Sequence, residues 1–542
     1  MKRFFSSVII AILLALTGAS TPGFSQVNLT RGPYLQVGTP NSIVVRWRTD
    51  AETDSRVRYG TDAQNLDQVV DVSGSTDEHV VTISGLNPQT QYFYAVGSST
   101  DGVISDPNYF FVTAPPVGTK KKTRVWILGD SGTGNQDAKN VRDAYFDFTG
   151  NVHTDLWVMV GDNAYDDGQD DEYQDNMFDI YPTMLSKSVL WPAFGNHDGK
   201  SADSENESGV FYNIFTLPRN AEAGGAASGT EAYYSFDFAN IHFICLNSHD
   251  IDRSSNGEML QWLTQDLAQN EQDWTIAYWH HPPYTKGSHD SDDEDQLIEM
   301  RENALPILEG SGVDLVISGH SHSYERSFLL DSHYGDSGSL TNDMILDGGN
   351  GKNDDDGAYE KATLGQAPHE GAVYVVAGSS GKTSSGDLDH PAMHVSLKEL
   401  GSVVLDIDNA QLDLTFLDDS GNSLDYFTMV KGSGVVGISH DDGQLPQTIA
   451  LHANFPNPFN PNTTIQFDLP AASNTTFDVQ LEIVDVAGRL VKTLVNDKFT
   501  AGSYAINWDA TNQRGASVPS GVYFYRLMAN EEIQTRKMTL TR

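Results

Sequence analysis

The sequence predicts a multidomain protein with an N-terminal β-sandwich, a central α/β domain and a C-terminal β-sandwich. A chain of 542 residues is too long for one hydrophobic core, since domains average roughly 150 residues. Short apolar runs separated by turn residues fill residues 27–116 and 445–542, which is typical of sandwiches. Between residues 123 and 431, strand-like runs alternate with helical spacing, and this alternation indicates an α/β domain.

The N-terminal residues have the pattern of a cleaved secretory signal. Residues 1–26 begin with two basic residues, continue with an apolar run from Val8 to Leu16, and end in small and polar residues. The apolar run is well short of the ~20 residues that a spanning helix needs, although a retained anchor is the alternative. No later segment resembles a transmembrane helix. Cys245 is the only cysteine and lies in an apolar run, so we expect a buried core thiol and no internal disulfide.

The composition is strongly acidic. Lys and Arg total 33 and Asp and Glu total 74, which gives a net charge of −41. This charge argues against a nucleic acid or an anionic membrane as partner, and it fits a soluble exported protein. The basic run Lys120 to Lys122 is too short to change that expectation.

In the first sandwich, strands are predicted at residues 43–47, 57–59, 79–83 and 92–96, and a polar linker follows residue 116. Several Gly, Pro and aromatic positions mark this region: Gly32-Pro33-Tyr34-Leu35, Trp47, Tyr59-Gly60, Gly85-Leu86 and Tyr92-Phe93-Tyr94. Together they resemble the fibronectin type III-like domain that precedes the catalytic domain of purple acid phosphatases.

Five strand-like runs of the central domain each end in a turn that carries metal-ligand side chains. The turns are Gly129-Asp130, Gly161-Asp162, Gly195-Asn196, His280-His281 and Gly319-His320-Ser321-His322. Strand ends in open α/β sheets face one crevice, so we expect these side chains to meet. A Gly-Asp turn or a His-x-His pair is weak evidence by itself, since both are common on surfaces. Five such strand ends in this order are much stronger evidence for a shared metal site.

The candidate ligands offer oxygen and nitrogen atoms and no thiolate: Asp130, Asp162, Tyr165, Asn196, His280, His320 and His322. Such donors suit hard or borderline cations. Seven groups exceed what one four-coordinate ion uses. Two ions about 3.5–4 Å apart that share a carboxylate would use them all, and that arrangement serves phosphoryl transfer.

The five motifs, in order, resemble those of the calcineurin-like metallophosphoesterase superfamily, and Gly161-Asp-Asn-Ala-Tyr165 resembles its purple acid phosphatase branch. The resemblance implies two facing β-sheets flanked by helices. It also implies two metal ions, with Fe(III) held by Asp130, Tyr165 and His322, and a divalent iron, zinc or manganese ion held by Asn196, His280 and His320. Asp162 would bridge the two ions. The alternative for Tyr165 is a packed aromatic beside the site.

The same resemblance implies hydrolysis of a small phosphate monoester by attack of a metal-bound hydroxide. His197 is the expected general acid and Asp198 the residue that orients it. His289, in an acidic loop, is a candidate substrate-facing residue. The Tyr324-Glu325-Arg326 run suggests a buried Glu-Arg pair that supports the site.

Residues 445–542 follow a Gly- and Asp-rich linker at 432–444. Their marker segments are Asn454–Pro461, Val484–Arg489, Trp508-Asp509, Ser520–Arg526 and Lys537-Met538. These segments resemble the C-terminal sorting domain of type IX secretion substrates, with an accessory β-sandwich as the alternative. The resemblance implies the type IX machinery as a partner, export through the periplasm, and a final location outside the cell or on its surface.

Two other functions remain open at this level. A phosphodiesterase or nucleotidase would use the same motifs, because substrate choice lies in the loops. A surface-binding protein with a silent catalytic fold is the alternative from another class. The acidic stretches 166–172, 290–295 and 354–356 lack a complete calcium-loop spacing, so we expect solvated surface there.

Overall fold

The computed structural model describes residues 27–432, 435–438, 448–454, 457–459, 461, 463–470, 477–499, 502–508, 510–513, 516–530 and 532–541. The predicted signal peptide lies outside the described residues, as does most of the predicted linker. Part of that linker, Val435–Ile438, is a strand that pairs with Gly502–Trp508 and not a spacer. Within the described ranges, no helix combines the length and apolarity needed to cross a membrane.

The N-terminal unit is built from five strands: Leu29–Gln36, Ser42–Gly60, Gln68–Ser84, Gln91–Ser98 and Gly102–Val112. The predicted strands at 43–47 and 57–59 are two halves of one strand, Ser42–Gly60. A register shift between Arg48 and Ser55 lets its first half pair with Leu29–Gln36 and its second half with Gln91–Ser98. The unit is therefore β-rich as predicted, but its strands are longer, and Leu29–Gln36 and Gly102–Val112 were not among the predicted ones.

Two β-sheets make up the central domain, in agreement with the expected architecture. The first contains Thr123–Leu128, Leu156–Met159, Val189–Pro192, Tyr359–Lys361, Gly401–Asp408, Gln411–Asp418 and Ser423–Lys431. The second contains Tyr234–Phe238, Ile241–Cys245, Trp274–Trp279, Leu315–Ser318, Tyr324–Ser327, Val373–Ala377 and Met393–Leu397. Apolar side chains of both sheets form one buried cluster. Cys245 belongs to it, as predicted, and burial raises the pKa of its thiol to about 12.

Helices lie between the strands along the chain, and several of them pack on the faces of the two sheets. They are Gln136–Thr149, Asp170–Tyr173, Pro182–Leu185, Val210–Ile214, Glu258–Leu267, Asp295–Glu299 and Leu305–Glu309, with π-helical turns at Gln174–Phe178 and Met300–Ala304 and 3₁₀ turns at Asp198–Lys200, Ser337–Ser339 and Asn342–Met344. Short strand pairs join Ala202–Asp203 to Ser208–Gly209 and Leu329–Leu330 to Ile345–Asp347. Helix Glu258–Leu267, one of the segments with helical spacing, packs its apolar side chains against the second sheet.

The first sheet continues into the N-terminal unit. Leu35 pairs in parallel with Val189, so the strands of both units form one twelve-stranded sheet. Tyr34 donates a hydrogen bond to the carbonyl of Ile214 at 2.6 Å, and Tyr94 to that of Ser186 at 3.0 Å. The strand that leads to Asn196 is therefore supported on both sides, by the central domain and by the N-terminal unit.

The C-terminal unit is a sandwich of two four-stranded sheets, as predicted. One contains Val435–Ile438, Ala450–Leu451, Thr463–Leu469 and Gly502–Trp508, and the other Phe477–Asp485, Leu490–Phe499, Gly521–Ala529 and Glu532–Leu540. Its core is a separate apolar cluster around Phe467 and Trp508.

Candidate metal centre

The ends of five parallel strands converge at the edge where the two sheets meet. Two hydrogen bonds tie this edge together across the sheets. His280 Nδ1 lies 2.9 Å from the carbonyl oxygen of Val160, and the backbone N–H of His320 donates to Asp130 Oδ2 at 2.7 Å. The turns that the sequence placed at strand ends are therefore in direct contact, and the predicted ligands share one buried site.

The backbone at three of these turns is strained. Asp130, Asp162 and His320 have φ values of 56°, 53° and 65°, in the left-handed region that non-glycine residues rarely occupy. Each such residue costs on the order of 1–3 kcal/mol, which the surrounding contacts must offset. Strain of this kind concentrates at sites where side-chain direction matters more than local stability.

Glycines precede the ligands because another segment passes too close for a side chain. A Cβ on Gly161 would lie 2.5 Å from His280 Nδ1, and one on Gly195 would lie 2.2 Å from the backbone nitrogen of Asp162. Close approach thus explains the Gly-Asp and Gly-Asn pattern at these strand ends.

One half of the site gathers around the phenol of Tyr165. Its Oη lies 2.7 Å from Asp162 Oδ2, 3.0 Å from Asp130 Oδ1 and 3.5 Å from His322 Nε2. His322 Nδ1 contacts Ser384 Oγ at 2.8 Å, so Nε2 is the nitrogen left for the site. Burial, together with the two carboxylates, raises the pKa of Tyr165 well above its usual value of 10.

The other half gathers around His280. Its Nε2 lies 2.9 Å from Asn196 Oδ1 and 3.3 Å from Asp162 Oδ1, while the Val160 carbonyl engages Nδ1. His320 places Nε2 3.3 Å from Glu294 Oε2, which leaves Nδ1 as its free nitrogen. Burial lowers the pKa of His320 to about 4, so its ring is neutral at pH 7, the form that binds metals.

These residues fit a pair of metal ions. Asp162 directs Oδ2 toward Tyr165 and Oδ1 toward His280, which is the placement that a bridging carboxylate needs. Ligand atoms of Asp130, Asp162 and His280 all lie within 4.8 Å of one another, as do those of His280, His281 and His320. All seven predicted ligands are thus brought together, and Tyr165 contacts both carboxylates directly.

His197 lies beside the centre, but Asp198 does not orient it as expected. The Nδ1 of His197 contacts the carbonyl of Asp166, and its Nε2 lies 3.9 Å from Asp162 Oδ2. The carboxylate of Asp198 is fully buried and accepts hydrogen bonds from Asn163, Gly195 and Tyr173. It turns inward because three donors are available there, and burial followed by the nearby Asp162 raises its pKa to about 7.

His289 reaches the centre by stacking on His320, one of the predicted ligands. Its ring lies 3.7 Å, centroid to centroid, from that of His320, and its Nδ1 is 2.8 Å from Glu294 Oε1. Glu294 therefore joins two histidines of the site, and the expectation of solvated surface for residues 290–295 is wrong at this position. The sequence signal was weak, because Glu294 is one acid among several in that loop.

The other residues that the sequence placed near the centre form contacts with partners outside it. His281 contacts Ser248 Oγ through Nδ1 at 2.8 Å. Glu325 and Arg326 are both buried but do not pair, which corrects the expected Glu-Arg contact. Successive residues of a strand point to opposite faces, so Glu325 meets Thr285 while Arg326 forms a two-pronged ion pair with Asp425 at 2.6 and 3.0 Å.

Sequence reasoning also missed Lys382. Its ammonium lies 3.7 Å from the centroid of the Tyr165 ring. A signal was present, because Gly378-Ser-Ser-Gly-Lys382 follows the apolar run Val373–Ala377 and is therefore a sixth Gly-rich strand end.

Comparison with protein families agrees with this geometry. Residues 123–324 match the calcineurin-like phosphoesterase family, and residues 30–113 match the purple acid phosphatase N-terminal domain. Residues 459–532 match the FlgD Ig-like domain. The first two matches lie in the order that the motifs suggested, so residues 123–324 are similar to calcineurin-like phosphoesterases and residues 30–113 to the N-terminal domain of purple acid phosphatases.

Individual relatives are distant. The chain is 27% identical to purple acid phosphatase 15 of Arabidopsis thaliana over 297 residues, which cover 50% of this chain and 53% of that protein. It is 26% identical to purple acid phosphatase 23 of the same plant, with 50% and 62% covered. The chain thus spans between about half and two thirds of the length of these curated relatives.

Solved structures share the fold. Purple acid phosphatase PPD1 from yellow lupin seeds matches with a TM-score of 0.56 at 18% identity, covering 74% of this chain and 75% of that one. PhoD matches with a TM-score of 0.52 at 13% identity, covering 73% and 88%. At these identities the likeness shows architecture alone.

Proposed function

We propose that this protein is a dinuclear metal-dependent phosphatase that hydrolyses small phosphate monoesters. The observation that carries the proposal is the position of Asp162, whose two carboxylate oxygens face two separate sets of donors. Bound there, a pair of cations would lower the pKa of a water ligand and neutralise charge on phosphoryl oxygens. We assign Fe(III) to the Tyr165 half, because a phenol with a reference pKa near 10 binds as phenolate to a strongly Lewis-acidic ion. The half around His280 would take divalent iron, zinc or manganese.

His197 is the proposed general acid. Its Nδ1 is engaged by the Asp166 carbonyl, so a proton on Nε2 lies on the side of the ring nearer the carboxylates of the site. That proton would pass to the leaving oxygen of the ester. Lys200 Nζ, 3.2 Å from Nδ1 and 2.8 Å from the Asp166 carbonyl oxygen, helps to hold the loop that sets this orientation.

A panel of esters tests the proposal. Purified protein loaded with iron and zinc should hydrolyse p-nitrophenyl phosphate faster than bis(p-nitrophenyl) phosphate, and chelation should abolish both activities. No hydrolysis of any ester by the metal-loaded protein would refute a phosphatase and favour a surface-binding protein. A preference for the diester or for nucleotides would instead favour the phosphodiesterase or nucleotidase alternative, since the same metal centre serves those reactions.

We further propose that the C-terminal sandwich directs export by the type IX route and takes no part in catalysis. The motifs in residues 445–542 support this assignment, as does the separation of that unit's core from the core around the metal centre. Removing residues from Leu445 onward should leave specific activity intact while the cells retain the protein. Normal surface delivery of the shortened chain would refute the assignment.

A further inference from the structure

Lys382 places a positive charge at the metal centre of a strongly acidic protein. The ammonium lies 3.7 Å from the centroid of the Tyr165 ring, and that ring lies 4.3 Å from the ring of His197. Ammonium groups are attracted to the faces of aromatic rings, and this contact defines where the charge sits. The charge therefore lies directly beside the proposed phenolate ligand, whose ring also contacts that of the proposed acid.

The backbone before Lys382 is held by the loop that carries Asp130. The carbonyl of Gly381 accepts hydrogen bonds from Asn135 Nδ2 at 2.9 Å and Thr133 Oγ1 at 3.3 Å. A Cβ on Gly381 would lie 2.6 Å from the carbonyl oxygen of Asp130, so the two loops are in close contact. The position of Lys382 is thus set by the same turn that supplies a metal ligand.

Lys382 differs from the other lysine near the centre. Lys200 Nζ lies 3.3 Å from Asp167 Oδ1, so a carboxylate already offsets its charge. Among the residues that the structure describes, Lys382 forms no ion pair, although acidic residues outnumber basic ones by 74 to 33. A half-buried ammonium without a carboxylate partner, beside a metal centre, has the chemistry to receive an anion.

We propose that Lys382 is a substrate-positioning residue that contacts the phosphoryl group through one of its oxygens. This inference rests on the proposed phosphatase function and adds to it a specific contact between the chain and its substrate. In the free enzyme the ammonium rests on the Tyr165 ring. When the substrate binds, a charge-assisted hydrogen bond to a phosphoryl oxygen replaces that weaker contact.

Lys382→Met tests the proposal, because methionine keeps much of the side-chain length and removes the charge. We expect KM for p-nitrophenyl phosphate and the inhibition constant of inorganic phosphate each to rise about tenfold or more, the size of one lost charged hydrogen bond. Turnover at saturating substrate should fall by less than about threefold. Calorimetric titration with inorganic phosphate should show the same loss of affinity in Lys382→Met without any turnover. Lys382→Arg should keep part of the affinity that Lys382→Met loses.

Lys187 provides a matched control. Its ammonium also lies over an aromatic ring, 5.4 Å from the centroid of Phe110, but just before strand Val189–Pro192 and so at the opposite end from Asn196. Lys187→Met removes the same charge and should leave both constants unchanged. Unchanged phosphate affinity in Lys382→Met, or a loss of bound metal with normal affinity at the loaded sites, would overturn the proposal. Failure of the wild type to hydrolyse any ester would refute the phosphatase function itself.

Discussion

Two clusters in the central domain contain the same side chains and have opposite character. Asp130, Asp162 and His280 form part of the candidate metal centre, whereas Asp237, Asp266 and His242 lie on the second sheet and its covering helix. In the first cluster a backbone carbonyl engages one nitrogen of the histidine, and the other nitrogen faces oxygen ligands. In the second, both nitrogens of His242 contact carboxylates at 2.8 Å.

This difference shows which feature of an Asp-Asp-His cluster leaves it able to bind a metal ion. Asp266 is saturated by protein donors, since its Oδ1 accepts from Ser235 and Ala226 and its Oδ2 contacts His242. Burial opposes a charge on His242, but the hydrogen bonds to Asp237 and Asp266 outweigh it and raise the pKa of His242 to about 9. This triad therefore carries its own cation, the imidazolium, whereas the proposed metal centre would take its cations from solution.

The largest effect is expected on stability, from a change in the triad of Asp237, His242 and Asp266. His242→Gln removes the cation between two carboxylates, one of them fully buried, and should lower the free energy of unfolding by about 3–5 kcal/mol. Urea unfolding of the variant measures this loss. His369→Gln is the control, because His369 also contacts an aspartate, Asp331 at 3.0 Å, but is half exposed and should cost about 0–1 kcal/mol. Equal losses in the two variants would contradict the comparison.

Substitutions at the candidate metal centre should lower catalytic activity without lowering stability. Asn196→Ala or His320→Ala removes one ligand, and we expect turnover to fall at least about a hundredfold with the fold retained. Elemental analysis of bound metal, together with assays in metal-limited buffer, checks this outcome. Activity like that of the wild type in either variant would refute a dinuclear mechanism, and His242→Gln should keep a full complement of metal.

The triad also predicts how stability depends on pH. The pKa of His242 is about 9 in the folded protein and near 6.5 in the unfolded chain, so its contribution is complete below about pH 6.5. Between these values the folded state holds one more proton, and the contribution falls by about 1.4 kcal/mol per pH unit until it is lost above pH 9. Unfolding curves at pH 6.5, 8 and 9 should show this slope in the wild type and its absence in His242→Gln.

The subtlest test concerns Tyr165. If its phenolate binds Fe(III), the oxidised iron-loaded protein should be coloured by charge transfer from phenolate to metal. Tyr165→Phe keeps the ring and removes the oxygen, so the variant should keep two metals, bind the trivalent ion less tightly and lose the visible band. Absorption spectra of both proteins decide the matter. A colourless wild type, or a band that survives unchanged in the variant, would make Tyr165 a packed aromatic beside two divalent ions.

Much of this protein follows from its sequence because the informative features are local. Apolar runs of strand length ending in Gly-Asp, Gly-Asn or Gly-His turns indicated the central domain, since a strand's apolar character and its terminal turn are written in adjacent residues. The chemical type of the ligands predicted the class of cation for the same reason. The burial of the Cys245 thiol and the apolar side of helix Glu258–Leu267 also follow from residues adjacent in the sequence.

Tertiary structure alone decided which atoms of those residues are free to act. The free nitrogen of His280 depends on Val160, 120 residues away, and Asp198 turns from His197 toward Asn163, 35 residues back. Lys382 and Glu294 join the site only because their loops meet loops from other strands. Such contacts depend on how the two sheets face each other, and no local pattern encodes the distance between segments so far apart. The sequence thus determined the chemical groups and their order, and packing determined their partners.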